Sequence, residues 1–155
     1  MKKILLLLSI LMFFCCSSSD DNNDLQLSQS ELLILNSPWK ITHYKVLEIT
    51  DSNGTDVTTT QIQSSLNNST ALRLTIFNDD GTGTSVTEYP GNDPTYGNFT
   101  WATLNGNQLR IDQNVSDSFT VNNNELTIVS SDAEYYDLGT TVKFTVKVYY
   151  NKHNI

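Results

Sequence analysis

Few residues in this chain are of types that do chemistry, and their spacing excludes most of the usual reactions. The two histidines, His43 and His153, fall in no H-E-x-x-H or mixed Cys/His ligand spacing, so each reads as a surface or strand-end residue rather than a metal ligand. No G-x-S-x-G elbow and no phosphate-binding loop is present. Gly81-Thr82-Gly83 lacks the third glycine of a dinucleotide fingerprint and leads into a strand, which makes it hairpin punctuation. Asp51-Ser52-Asn53-Gly54-Thr55-Asp56 begins with the alternating oxygens of a calcium loop. Asp56 stands where the sixth-position glycine is needed and Ile62 where the acidic twelfth is, so a turn is the better reading. No pair of titratable groups is positioned by a legible spacing, and the expectation is a protein that is not an enzyme, with no metal and no cofactor.

The cysteines need a different chemistry. Cys15 and Cys16 are adjacent and no other cysteine exists, so neither a spaced disulfide framework nor an unstrained vicinal bridge is available. Before them stand Met1-Lys2-Lys3, a short positive segment, and the apolar run from Ile4 to Phe14. As a helix that run would rise only about 16 Å, too short for a bilayer core and the right length for a signal peptide. Phe13-Phe14-Cys15-Cys16 resembles the lipobox of bacterial lipoproteins. The resemblance implies cleavage before Cys16 and acylation of that residue, with Cys15 as the lesser alternative. Acyl chains burying many CH₂ groups would then hold the protein on a membrane without a spanning helix.

From Ser17 to Leu27 the chain is polar and acidic, a tether reaching about 35 Å when extended. Its Ser-Ser-Ser-Asp-Asp run is similar to the segment that marks some lipoproteins for the outer face of the outer membrane, and equally to a plain solvated linker. The expected organisation is a signal peptide over 1–15, a disordered tether over 16–27 and one domain over 28–155. Without Lys2 and Lys3 the chain keeps seven basic against seventeen acidic side chains, a formal charge of −10. Such a balance repels phosphate backbones, so no nucleic-acid partner is expected. The membrane is reached through acyl chains, and the domain is expected to be a monomer.

The elements of the body follow from local pattern. Ser28-Gln29-Ser30-Glu31 has the spacing of a capping box ahead of Leu32-Leu33-Ile34-Leu35, and Pro38 ends the short helical turn, whose leucines are expected on the main core. Thereafter runs rich in Thr, Val, Ile, Phe and Tyr alternate with Gly, Asn and Asp. Eight strands are predicted, at about 39–49, 71–78, 82–89, 98–104, 108–112, 118–122, 125–130 and 140–151. Asn78-Asp79-Asp80-Gly81, Asn105-Gly106-Asn107 and Asn122-Asn123-Asn124 tolerate the positive φ of tight hairpins, so consecutive strands should be antiparallel neighbours. A short lid-like helix is possible at Thr59 to Leu66 within the longest connection.

Alternation assigns the faces. Val142, Phe144, Val146, Val148 and Tyr150 share one side of the last strand and should face the core. By the same rule Leu72, Leu74 and Ile76 are expected inward, opposite Arg73 and Thr75, with Phe119, Val121, Leu126 and Ile128 continuing the lining. One apolar face and no second layer to cover it favour closure into an antiparallel up-and-down barrel, with a β-sandwich as the alternative.

Leu35-Asn36-Ser37-Pro38-Trp39-Lys40-Ile41-Thr42-His43-Tyr44, then Leu72 to Thr82, then Asn124-Glu125-Leu126-Thr127-Ile128 ahead of a long last strand, resemble the lipocalin-like domain of bacterial lipoproteins. The likeness spans about Leu32 to Lys152. It implies an all-β, eight-stranded, lipocalin-like barrel plugged at one end by Trp39, and leaves activity, ligand and partner unspecified. Ser37 stands where the family usually has glycine, which bears on the turn before Trp39.

Two functions follow. The first is an envelope lipoprotein, anchored on the bacterial outer membrane by Cys16 with the periplasmic or surface face undecided, that binds a small apolar or amphipathic molecule. Tyr44, Phe99 and Trp101 are then the lining and Tyr135 and Tyr136 the rim. The second is a packed barrel without ligand that displays Thr50–Thr70 or Ser131–Gly139 to a protein or glycan partner.

Overall fold

The computed structural model describes residues 27–137 and 139–154, so the expected signal peptide, Cys16 and nearly all of the expected tether lie outside the described residues. Two short helices and nine strands follow in the order α1 (Gln29–Leu35), β1 (Trp39–Asp51), α2 (Thr59–Asn67), β2 (Leu72–Phe77), β3 (Thr82–Glu88), β4 (Thr95–Leu104), β5 (Gln108–Ile111), β6 (Asn114–Val115), β7 (Ser118–Val121), β8 (Glu125–Asp137) and β9 (Thr140–Lys152). None of the described helices is long and apolar enough to cross a membrane.

The strands form a single antiparallel sheet in the order β6-β5-β4-β3-β2-β1-β9-β8-β7, an up-and-down meander in which the last strand pairs with the first. The all-β, barrel-like fold is therefore the one expected, and all eight predicted strands are present. The ninth, β6, is two residues long and too short to leave a periodic signal. The sheet curls as a half-barrel rather than closing through a continuous ladder. Its ends, β6 and β7, are consecutive in the chain; the β5–β6 pairing runs on through Ser116 N–H to the Leu109 carbonyl at 2.9 Å, and β7 meets the start of β5 through one bond, Phe119 N–H to the Asn107 carbonyl at 2.7 Å. Register shifts in β1 at Ile41/His43, Val46/Glu48 and Ile49/Asp51, and in β8 between Ser130 and Ala133, bend the long strands.

The three predicted turns each join antiparallel neighbours, and two of them use positive φ: Gly81 at 79°, and Asn105 and Gly106 at 51° and 77°. None of Asn122–Asn124 has positive φ; there Asn122 Oδ1 accepts from the N–H groups of Asn124 and Glu125 at 2.9 and 2.8 Å. Within the segment 131–139, read from the sequence as a displayed loop, the structure departs from that expectation over residues 131–137. Residues 131–137 extend β8 against β9, with Tyr135 opposite Val142, because the bulge after Ser130 restores the inward phase.

Helix α1 carries the predicted capping box, with Ser28 N–H donating to Glu31 Oε2 at 2.7 Å and Glu31 N–H to Ser28 Oγ at 3.3 Å. Only Leu33 is fully buried; Leu35 stays 64% exposed, because one turn and a half presents a single apolar face. The Leu33 carbonyl accepts from the Trp39 indole and from Ser37 Oγ, both at 2.9 Å, and Ser37 Oγ accepts from Phe77 N–H at 2.9 Å. Ser37 thus ties the helix to β2.

Two packed clusters fill the curl. Leu33, Trp39, Phe77, Trp101, Leu109, Phe119 and Leu126 close the end under α1. Val46, Val142, Phe144 and Val146 close the other under Ile62 of α2, so the helix suggested at Thr59 forms and is a plug. The face of β2 is the reverse of the one expected. Trp39 pairs with Thr75 and Phe77 with Gly83, so Arg73, Thr75 and Phe77 point to the concave side and Leu72, Leu74 and Ile76 to the outer one. Both sets of the strand contain apolar residues, and the aromatic Phe77 decided between them.

Candidate functional site

The geometry most unlike a plain sheet lies where β1 leaves β2. Their ladder holds only Trp39–Thr75 and Lys40–Leu74, after which the shift at Thr42 swings β1 away. Helix α2 takes over the vacated edge. Asn67 Oδ1 accepts from Tyr44 N–H at 2.7 Å, Asn67 Nδ2 donates to the Tyr44 carbonyl at 2.9 Å, and Gln63 Oε1 accepts from Val46 N–H at 3.1 Å. The helix is capped by Thr58 and Gln61 in a second capping box.

Under this splay sits a polar cluster on the concave side. Arg73 Nη1 donates to the Tyr44 hydroxyl at 2.8 Å and Nη2 to Ser69 Oγ at 3.5 Å, and the Tyr89 hydroxyl stands close by. Burial works against the guanidinium charge, but the hydroxyls of Tyr44 and Tyr89 outweigh it and hold its pKa above the ordinary value. A crevice of about 50 Å³ opens at the same place, lined among others by Ile41, Tyr44, Asn67, Ser69 and Arg73. Tyr150 lies on the neighbouring strand, paired with Ile41; burial, and then the nearby Tyr44, push its phenol well above its ordinary value.

On the other side of Tyr150 an apolar cavity of about 260 Å³ opens between β5–β6 and β8, lined by Leu109, Ile111, Val115, Ile128, Ser130 and Tyr150 among others. It exists because β7 covers only the first part of β8, from Leu126 to Val129. Next to it is a polar groove of about 540 Å³ at Gln113, Asn114, Ser130 and Asp132. A further groove, about 470 Å³, lies on β3 and β4 against Thr82, Thr84, Asn98, Phe99 and Thr100. Its one carboxylate, Asp112, already accepts from Thr100 N–H at 2.8 Å and from the Thr100 hydroxyl at 3.2 Å, so it offers little to a ligand.

The residues expected to line a ligand site are not brought together. Tyr44 faces inward at the α2 end. Phe99 lies over Gly83 and meets Phe77 edge-on at 5.7 Å. Trp101 is in closed packing at the α1 end, 5.3 Å from Phe77, with its indole N–H given to the carbonyls of Asn78 and Thr82 at 3.1 and 2.9 Å. Of the two rim tyrosines, Tyr135 faces in and its hydroxyl donates to Ser65 at 3.2 Å, whereas Tyr136 is 72% exposed on the opposite face. His43 is outward and stacked on Tyr149, with ring centroids 4.1 Å apart. The Asp51 carboxylate accepts from Asn53 N–H at 2.8 Å within a turn. Arg73, Tyr89 and the role of Tyr150 escaped the pattern reading; the in-phase spacing of Arg73 with Phe77 was the available signal.

These features define an all-β, barrel-like domain with packed clusters at both ends and an apolar cavity between β5–β6 and β8. Comparison of the chain with protein-family models, with curated proteins and with solved structures gave no match.

Proposed function

We propose that the protein is a bacterial envelope lipoprotein, held on the outer membrane by acyl chains on Cys16, whose lipocalin-like domain binds a small amphipathic molecule in the concave flank of the half-barrel. The observation that carries the reading is an apolar cavity at Leu109, Ile111, Val115, Ile128 and Tyr150, with a polar cluster at Arg73, Tyr44 and Tyr89 whose Tyr44 lies near Tyr150. An apolar pocket with a few convergent polar groups is the usual form of a small-molecule site.

The test uses the chain from Ser17 onward, which retains every described helix and strand. Titration with the neutral apolar fluorophore N-phenyl-1-naphthylamine should show saturable binding, and Ser130→Phe, which fills the cavity floor, should weaken it at least about tenfold. Absence of saturable binding would leave the packed, partner-displaying barrel as the better reading. For the anchor, mass spectrometry of the membrane-extracted protein should find Cys16 acylated at the mature N-terminus, and Cys16→Ala should release the protein from membranes.

A further inference from the structure

Arg73 is a cation turned to the concave side of a strongly acidic chain, yet among the described residues no carboxylate pairs with it. Seventeen acidic side chains are available, and the one ion pair among the described residues joins Lys143 and Glu134 at 4.0 Å on the surface. Its partners are neutral oxygens: the Tyr44 hydroxyl at 2.8 Å and, more weakly, Ser69 Oγ at 3.5 Å. A guanidinium has five N–H donors in a planar fork, so these two bonds, with the Tyr89 hydroxyl close by, still leave donors free. Tyr44 is itself fixed from behind, because Asn67 holds both polar atoms of its backbone. The fork is therefore held in place and only part-satisfied, which suits a ligand oxygen pair better than water alone.

We propose that Arg73 receives the carboxylate of an amphipathic monoanion, with the Tyr44 and Tyr89 hydroxyls beside it and the apolar tail running past Tyr150 into the cavity at Ile111 and Ile128. The inference rests on the ligand-binding reading above and adds the headgroup. The crevice at Arg73, about 50 Å³, has room for a two-oxygen headgroup and is small for a bulkier one. Carboxylate and guanidinium match as a bidentate pair. Ile41 lines the crevice at Arg73 and pairs with Tyr150, which lines the apolar cavity, so headgroup and tail sites meet across the adjacent strands β1 and β9.

The decisive comparison is between cis-parinaric acid and its alcohol, which share a fluorescent tail and differ in the headgroup, on the chain from Ser17 onward. The acid should bind at least about tenfold more tightly than the alcohol, and within Arg73→Gln the two should bind alike. Tyr44→Phe should reduce it in part. Raising the salt concentration should weaken the acid alone. Equal binding of acid and alcohol by the unaltered protein would overturn the headgroup assignment and leave the ligand reading intact; failure of both to bind would sink that reading as well. Should Arg73→Gln not fold, the acid-to-alcohol ratio and its salt dependence in the unaltered protein decide the matter by themselves.

Discussion

Asn67 serves Tyr44 as a strand would: one side-chain amide accepts from its N–H at 2.7 Å and donates to its carbonyl at 2.9 Å. A single residue at the end of α2 thus replaces the β2 partner that β1 loses beyond Lys40. Asn67→Ala should cost about 1 to 2 kcal/mol, the range for two partly solvated hydrogen bonds. Asn67→Asp should cost as much, since its second oxygen would face the Tyr44 carbonyl. Urea denaturation measures both, and an unchanged midpoint in either variant would show that α2 is held by Ile62, Gln63 and Ser65 without Asn67.

Gly83 is required by the ring of Phe99. A Cβ there would sit 2.3 Å from Phe99 Cε2 and Cζ and 2.7 Å from the Ile76 carbonyl. Gly83→Ala should lose about 1 to 3 kcal/mol through overpacking. Adding Phe99→Leu should return only part of it, because the carbonyl belongs to the backbone and cannot step aside. Thermal melts of the single and double variants supply the comparison.

The junction of β5 with the segment after β6 depends on Ser116, whose Oγ accepts from Leu109 N–H at 2.9 Å in a buried position. Ser116→Ala should leave that donor unsatisfied and cost about 1 to 3 kcal/mol. Hydrogen exchange at the amides of Leu109 and Phe119 should accelerate before the rest of the sheet; uniform acceleration would argue against a local junction.

Acid should unfold the domain from its caps and turns. The Ser28 hydroxyl, then the Ser28 N–H, hold the Glu31 carboxyl below its usual range, and the Thr82 hydroxyl and N–H do the same for Asp80. Both groups have folded-state pKa values below their unfolded ones. Their stabilisation is therefore complete above the unfolded values and is lost as pH falls through the folded ones. Glu31→Gln and Asp80→Asn should each flatten the acid limb of stability against pH, measured by denaturant midpoints between about pH 2 and pH 6.

At alkaline pH the sign reverses. Tyr150 keeps its proton in the folded protein above the ordinary phenol value of 10.0, because burial and then Tyr44 disfavour the phenolate. The unfolded chain releases that proton first, so stability should fall as pH rises past that value. Tyr150→Phe should remove this part of the loss. Equal alkaline limbs for the two proteins would show that Tyr150 titrates freely.

What local pattern determined is clear from particular segments. The capping boxes at Ser28 and Thr58, the positive-φ turn at Asn105-Gly106 and the alternation from Val142 to Tyr150 each depend on residues near one another in the chain, so the sequence by itself specifies them. The strand set and the barrel-like class followed from these.

The face of β2, the extension of β8 and the clustering of Arg73 with Tyr44 were decided only in three dimensions. In Leu72–Phe77 apolar residues stand on both faces, so alternation cannot choose; the choice falls to the fit of Phe77 and Phe99 over Gly83. The bulge at Thr42 likewise has no local signature, yet it separates β1 from β2, admits α2 and creates the crevice at Arg73. Periodicity reports which neighbours a residue has along one strand; a site assembled across β1, β2 and α2 depends on register and bulges, which long-range packing selects.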